Sequence, residues 1–338
     1  MATIKSLVVP PLYSKILSNF PSNFSFCFAY GSGVKKQTDN VGPTPNSNVI
    51  DLVFCVDNAY EWHERNLQLN KWHYSGLKYL GHHNITKFQR GYGAKVYFNT
   101  LIPLEEVTIK YGVVSRQDLI TDLLEWSDLY LAGRLHKPVE IVIHPTSSEL
   151  QTAIQLNLQS AVHASLLILP ETFTEYQFYH TVANLSYAGD FRMIFGENKQ
   201  KVDNIVRPQL LKFRDLYKPF LKNLHDYVDF PVDTVSETET VKCLQDVGPL
   251  SRLHHLNQLP RWPQKALTKF WNRGTVRQDT EDVLRAIAYD PDCNLIVNKC
   301  VNGIVWQSSI SQSLKSALTA GVVKSLRYSA KKITKMLR

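Results

Sequence analysis

The sequence predicts an α/β protein, on three observations: five short apolar or β-branched segments in the first 145 residues, helical spacing of apolar residues after His144, and Gly/Pro clusters between segments. Residues 24–30 (FSFCFAY) form a continuous apolar run bounded by polar residues, the mark of a strand buried on both faces, and residues 49–56 (VIDLVFCV) repeat it. Residues 95–99, 108–114 and 139–143 are further strands, and 117–127 (QDLITDLLEWS) has helical spacing. Gly42, Pro43 and Pro45 make the loop between the first two strands irregular. After His144, Ser148 and Gln151 have the spacing of a capping box, opening a helix to about Leu169. Helices follow over 175–184, 199–221 and 281–289, the last stopped by Pro291. The expected organisation is a domain over 1–145, a helical second domain over 146–228 and a polar, acidic linker or mobile loop over 229–249. Beyond it come a segment over 250–312 that packs on the core and a basic amphipathic helix over 313–338.

Composition narrows the function classes. With 338 residues and 44% apolar content the chain can bury a substantial core. Its five cysteines are odd in number and contain no CxxC, which argues against a disulfide framework and for a reducing compartment. Cys243, His254 and His255 lack a fourth ligand at zinc spacing, so they are expected as a packed thiol and exposed histidines. No apolar run approaches a spanning helix. The N-terminus is Ser-rich with no acid before Asp39 but has no arginine before Arg65, a weak import signal. From Cys293 to the end the chain carries eight Lys or Arg and no acid. Removing those eight from its 38 leaves as many bases as the 30 acids, so the positive excess lies wholly in the tail.

The strongest chemical signal is YGSGV, residues 30–34, directly after a strand. Glycines there let backbone N–H groups approach a phosphate, and the Ser32 hydroxyl adds a donor. Asp51 on the next strand completes a Gly-Ser turn beside a carboxylate, the layout of the polymerase-β-like nucleotidyltransferases. Those enzymes hold Mg²⁺ with Asp-x-Asp, whereas position 53 is Val here. Asp57 lies too far along a straight strand to share a cation with Asp51 and is expected as a strand-end carboxylate. Asp190 in GDFR is the best donor of a second carboxylate, with Arg192 two residues on; a local turn with an ion pair accounts for the same residues. Lys110, Arg134 and Lys137 are further phosphate-binding candidates, or else solvated charges.

Several longer motifs occur in one order: YGSGV, WHERN (62–66), HYS (73–75), YGAKVYFN (92–99), IKYGV, LYLAGRLHKPV, SYAGDFRM and SISQSLKSALTAG. In this the chain resembles the mitochondrial translocator assembly and maintenance proteins, which are phosphatidate cytidylyltransferases, from about residue 20 to about 324. The resemblance implies a nucleotidyltransferase domain, a helical winged-helix-like domain and a membrane-contacting C-terminal helix. It implies transfer of CMP from CTP to phosphatidic acid, giving CDP-diacylglycerol and pyrophosphate with Mg²⁺ as cofactor, at the matrix face of the mitochondrial inner membrane and on the way to cardiolipin. Asp51 and Asp190 would hold the metal. Tyr30, Gly31, Ser32, Gly33, Arg134 and Arg192 would bind nucleotide, and Ser32, Asp51, Lys110 and Asp190 would form the catalytic set.

In the tail, Val322, Leu326, Ala330, Ile333 and Leu337 fall on one side of a helix and Lys324, Arg327, Lys331, Lys335 and Arg338 on the other. Such a face suits anionic inner-membrane lipids, each base contributing ~1 kcal/mol near the surface. Only Tyr328 could stack on a base there, so no nucleic-acid partner is expected. Two rival functions stay open: a nucleotidyltransferase on a non-lipid substrate, and a non-catalytic inner-membrane adaptor supporting protein import.

Overall fold

A computed structural model describes residues 9–31, 49–104, 107–195, 198–231, 241–274 and 277–320. Ser32, Gly33, the loop with Gly42, Pro43 and Pro45, the acidic residues 232–240 and the basic face beyond residue 320 lie outside the described residues. The fold is mixed α/β. It has two compact units, one formed by the chain up to Leu119 with Val139–Gln151 and residues from 312, the other by Ile120–Pro138 and Thr152–Ser311.

The first unit is built on a mixed five-stranded sheet: β1 (Phe26–Tyr30), β2 (Ile50–Val56), β3 (Tyr97–Leu104), β4 (Val107–Ser115) and β5 (Glu140–Ile143), in the order β3-β4-β2-β1-β5. Only β2 and β4 run parallel. The five expected strands are these five. β1 and β2 show no apolar–polar alternation because both of their faces are covered. Leu52, Phe54 and Val56 of β2 join Tyr111 and Val113 of β4 and Trp62 in one core, into which Tyr13 and Ile16 of helix Pro11–Leu17 also pack.

Helix Ala59–Asn70 was not legible from apolar periodicity, because its inward face is mostly polar: His63, Asn66 and Asn70 are buried beside Ala59 and Trp62. Its start is set by Asn58, whose side chain accepts from the Tyr60 and Glu61 amides. The WHERN and HYS motifs meet in a buried hydrogen-bond network. His63 bonds the Tyr74 hydroxyl (2.8 Å) and Gln89 Oε1 (2.7 Å). Asn66 donates to the hydroxyls of Tyr74 (2.9 Å) and Tyr111 (3.1 Å), and His73 reaches Tyr111 at 2.9 Å.

The second unit is mainly helical, with a three-stranded sheet, β6 (Thr172–Thr174), β8 (Lys242–Gln245) and β7 (Val228–Asp229), in that order. Helix Glu175–Asn184 begins with a full capping box between Thr174 and Gln177. The helix expected over 199–221 is interrupted: Asp203–Val206 passes through a 3-10 turn at Arg207–Gln209 into Leu210–Lys222. Pro208 explains the break, since it has no N–H to donate and restricts Arg207. The helix Ser148–Ile168 starts where expected, but its cap is Ser147, whose hydroxyl accepts from the Leu150 amide, while Gln151 donates to the Pro145 carbonyl. Of two adjacent serines, the one just outside the first turn caps it.

The histidines also differ from expectation. His255 is buried and its Nδ1 lies 2.9 Å from Nδ1 of buried His163; with His254, partly exposed and stacked on Tyr227, they form a cluster that does not include Cys243. Adjacent helical residues point about 100° apart, so a helix packed on one side draws one of them inward. All five cysteines are buried and unpaired. Among the described residues no helix is long and apolar enough to cross a membrane.

Burial lowers His63 and His255 to about 4 and His163 to about 3, against an ordinary 6.5. These rings fold neutral, so between about pH 6.5 and about pH 4 the unfolded chain binds more protons and stability falls as pH falls. Urea unfolding should show a midpoint that drops steadily across that window; a midpoint flat from about pH 7 to about pH 4 would contradict the burial of these rings.

Candidate active site

β1, β2 and β4 lie side by side with Tyr30 paired to Asp51 and Asp51 paired to Lys110. Paired residues point to the same face, so three strands deliver a phenol, a carboxylate and an ammonium in one row. Lys110 Nζ is 3.3 Å from Asp51 Oδ1 and 4.7 Å from the centre of the Phe98 ring. The Asp51 side chain is 27% exposed, open enough to accept a ligand. Gly31 follows Tyr30 with φ +86°, where a Cβ would be strained and would stand 3.4 Å from Asp51 Oδ2. The turn and the carboxylate expected to work together are therefore neighbours. Ser32 and Gly33, which follow Gly31 in the motif, lie outside the described residues.

One glycine and one valine explain the surrounding pattern. Gly112, of IKYGV, leaves room for Phe98: a Cβ there would meet its ring at 2.5 Å, and Phe98 is the ring beneath Lys110. Val53 is fully buried and paired with Phe28. A carboxylate could not occupy that core position without losing its hydration, which accounts for the departure from Asp-x-Asp. Asp57 sits beyond the far end of β2, accepting from Ser25 Oγ (2.7 Å) and pairing with Arg116 (3.0 Å), and so serves as a strand-end carboxylate.

The other predicted residues belong to the second unit. Buried Asp190 is gripped by Arg192, whose Nε lies 2.9 Å from one carboxylate oxygen and whose terminal nitrogen lies 2.5 Å from the other. A cation at Asp190 would have to displace guanidinium donors. Gly189 fits only as glycine, since a Cβ would lie 2.1 Å from the Asn302 carbonyl. Arg134 donates to the Tyr130 carbonyl and lies 3.8 Å over the Tyr130 ring.

The loop that leads into the short helix Ala132–Leu135, which carries Arg134, is pinned by Asp122, a residue whose role was not legible in the sequence. Its buried carboxylate accepts from four backbone amides, those of Asp128 (3.1 Å), Leu129 (2.9 Å), Leu131 (2.8 Å) and Ala132 (3.0 Å). Asn157 backs the loop, accepting from Trp126 and donating to the Ala132 carbonyl. Gly133 then packs on Ser186 so closely that a Cβ would stand 2.3 Å from the serine Cβ. This contact brings the motifs LYLAGRLHKPV and SYAGDFRM together, and Lys137 clasps it by donating to the Gly133 carbonyl and to Ser186 Oγ. Lys201, which no motif marked, joins them: Lys137 and Lys201 stand 4.9 and 5.4 Å from the Tyr187 ring centre.

Comparison with known proteins follows this geometry. A family profile described as phosphatidate cytidylyltransferase, mitochondrial, matches residues 13–335. The mitochondrial phosphatidate cytidylyltransferases of Danio rerio and Drosophila melanogaster are each 45% identical to the chain, over 326 and 339 residues. These alignments cover 96% of the chain and 94% and 98% of those proteins. The Caenorhabditis elegans protein of the same name is 36% identical over 328 residues, covering 96% of the chain and 98% of its own length.

Gly133→Ala and Gly189→Ala should each cost about 1–3 kcal/mol by overpacking. Gly303→Ala, in open space within helix Cys293–Ala320, should gain about 0.5–1 kcal/mol. Urea midpoints for the three variants check this, and equal effects at all three positions would refute the close contacts.

Proposed function

The chain belongs to the family of mitochondrial phosphatidate cytidylyltransferases, and from that premise we propose that it transfers CMP from CTP to phosphatidic acid, releasing pyrophosphate and forming CDP-diacylglycerol. The observation that carries the site assignment is the Gly31 turn set against Asp51, with Lys110 in register beside it. A phosphatidate oxygen attacks the α-phosphorus of CTP, and the bond from that phosphorus to the β-phosphate bridging oxygen breaks. A phosphate monoester loses its second proton near pH ~6, so the nucleophile arrives ionised and needs no general base. What the protein must supply is position and charge compensation between two polyanions.

Mg²⁺ fits this site, because one partly open carboxylate suffices when substrate phosphates and waters complete the shell. Asp51 would hold it, and bound there it would offset charge on the triphosphate. Tyr30 and Gly31, with Ser32 and Gly33 of the same motif, would bind the nucleotide. Lys110 keeps the carboxylate oriented and can pass its ammonium to a phosphate oxygen. Arg134 and Arg192 are guanidinium donors for substrate phosphate.

The remaining parts of the reading have their own support. A carboxylate on the strand beside the Gly turn suits a polymerase-β-like nucleotidyltransferase domain. The order helix Ser148–Ile168, β6, four helices (two of them a single turn), β7 and β8 supports a winged-helix-like domain. Leu314 and Leu318, exposed and one helical turn apart, keep the four-residue spacing that Val322 and Leu326 have in the sequence, which supports docking of 313–338 on anionic lipid. The relatives are named as mitochondrial, and the basic tail suits the matrix face of the inner membrane, on the route to cardiolipin.

Asp51→Ala should lower lipid-dependent pyrophosphate release from CTP, Mg²⁺ and phosphatidate liposomes by about 100-fold or more with an unchanged melting temperature; near-normal turnover would remove Asp51 from the site. Release that depends on RNA rather than lipid would favour a different acceptor. Deletion of residues 321–338, which spares Lys315 and its bonds to the Gln89 and Tyr92 carbonyls, should abolish liposome flotation and keep the fold. Flotation equal to the full chain would assign membrane contact elsewhere.

A further inference from the structure

Three imidazole rings of the second unit gather at one point: His163 on helix Ser148–Ile168, and His254 and His255 on helix Pro249–Asn257. His163 and His255 stand 92 residues apart in sequence, yet their Nδ1 atoms are 2.9 Å apart. One ring nitrogen of each histidine lies within 4.8 Å of those of the other two. The ring centres form a nearly equilateral triangle with sides of 5.1, 5.3 and 5.6 Å. Three imidazoles sharing a tetrahedral zinc ion at a Zn–N length of ~2.0–2.1 Å would have ring centres about 5 Å apart and ligand nitrogens about 3.3 Å apart. The triangle therefore needs little adjustment to close on one ion.

A hydrogen bond between two of the rings does not account for the cluster. In such a bond one Nδ1–H donates to the other Nδ1, which leaves a bare lone pair on Nε2 of the first ring and an N–H on Nε2 of the second. Nε2 of His163 and Nε2 of His255 are both buried and have no hydrogen-bond partner among the described residues, which costs free energy. A neutral imidazole has one lone pair, on whichever nitrogen lacks the proton, so the three rings offer a cation three ligands. His254 is partly exposed and gives an ion its way in, and its ring is held by stacking on Tyr227 with centres 4.2 Å apart. His255 also lines a cavity of about 130 Å³, room for a water to complete a tetrahedral shell.

We propose that His163, His254 and His255 form a binding site for a transition-metal dication of the zinc class, distinct from the Mg²⁺ chemistry assigned to Asp51. Imidazole nitrogen suits Zn²⁺, whereas Mg²⁺ demands oxygen ligands and competes poorly for it. The ligands come from two helices far apart in sequence, so the ion ties helix Pro249–Asn257 to helix Ser148–Ile168 and its role is structural. The site stands whether or not the chain transfers CMP.

Zinc titration of the full chain, free of any purification tag and stripped with chelator, tests this in excess Mg²⁺. Isothermal titration should show one Zn²⁺ per chain with a Kd of about 1 μM or tighter, and the ion should raise the melting temperature by about 5 °C at a hundredfold excess over Kd. His254→Ala removes the partly exposed ring and should spare the fold, as circular dichroism would verify; it should weaken zinc binding about tenfold or more and remove the thermal shift. Co²⁺ in place of Zn²⁺ should give the intense visible absorption of a tetrahedral site in the wild type and not in His254→Ala. A wild-type chain with no thermal shift and no tetrahedral Co²⁺ spectrum would overturn the proposal and leave the His163–His255 hydrogen bond as the whole of the cluster. Zinc binding of equal strength in the wild type and His254→Ala would overturn it too, by placing the ion elsewhere.

Discussion

The site depends on one constraint, the register of β1 against β2 and of β2 against β4. Because that pairing sets Tyr30, Asp51 and Lys110 abreast, a carboxylate, its counter-cation and the Gly31 turn share one end of the sheet without any loop having to find them. A shift by one residue would turn Asp51 to the opposite face and bring Leu52 or Ile50 into its place. The register is held by burial on both sides: Phe26, Phe28 and Val53 on the Asp51 face, and Leu52, Phe54 and Val56 on the other, are fully or almost fully buried. Hydrophobic packing thus fixes the position of a charged group that contributes little packing itself.

The interior uses polar groups in the same spirit. Asp122 holds four amides of the loop before Arg134, so that one side chain satisfies four backbone donors that would otherwise be buried without a partner. In the first unit His63, Asn66, His73, Tyr74 and Tyr111 tie a helix, a 3-10 turn and β4 together through side-chain bonds. Such networks rigidify what they connect, and each member becomes costly to lose once its partners are buried. The ordered motifs in the sequence are largely these scaffolding residues.

Legibility in the sequence followed the physical signal. Strands covered on both faces wrote continuous apolar runs, and all five in the first unit were readable. Helix Ala59–Asn70 was silent because the face it buries is polar. The 3-10 turn at Arg207–Gln209 was signalled by Pro208 yet overshadowed by the helical spacing around it. Asp51 and Gly31 could be paired in advance because adjacent strands carried them. Lys201 could not be linked to Lys137, since a turn residue has no periodicity to point its side chain anywhere.

By itself the sequence determined the α/β class, the order of the main elements, the concentration of positive charge in the tail and the pairing of Gly31 with Asp51. These are properties of short windows, where local propensity and patterning act within a few residues. Tertiary structure alone decided that Lys110 stands against Asp51, that Asp122 clamps a loop and that Lys137 and Lys201 both approach the Tyr187 ring. Each of these is a meeting of side chains brought together by packing, and close approach across a fold depends on how the whole chain closes rather than on any one segment of it.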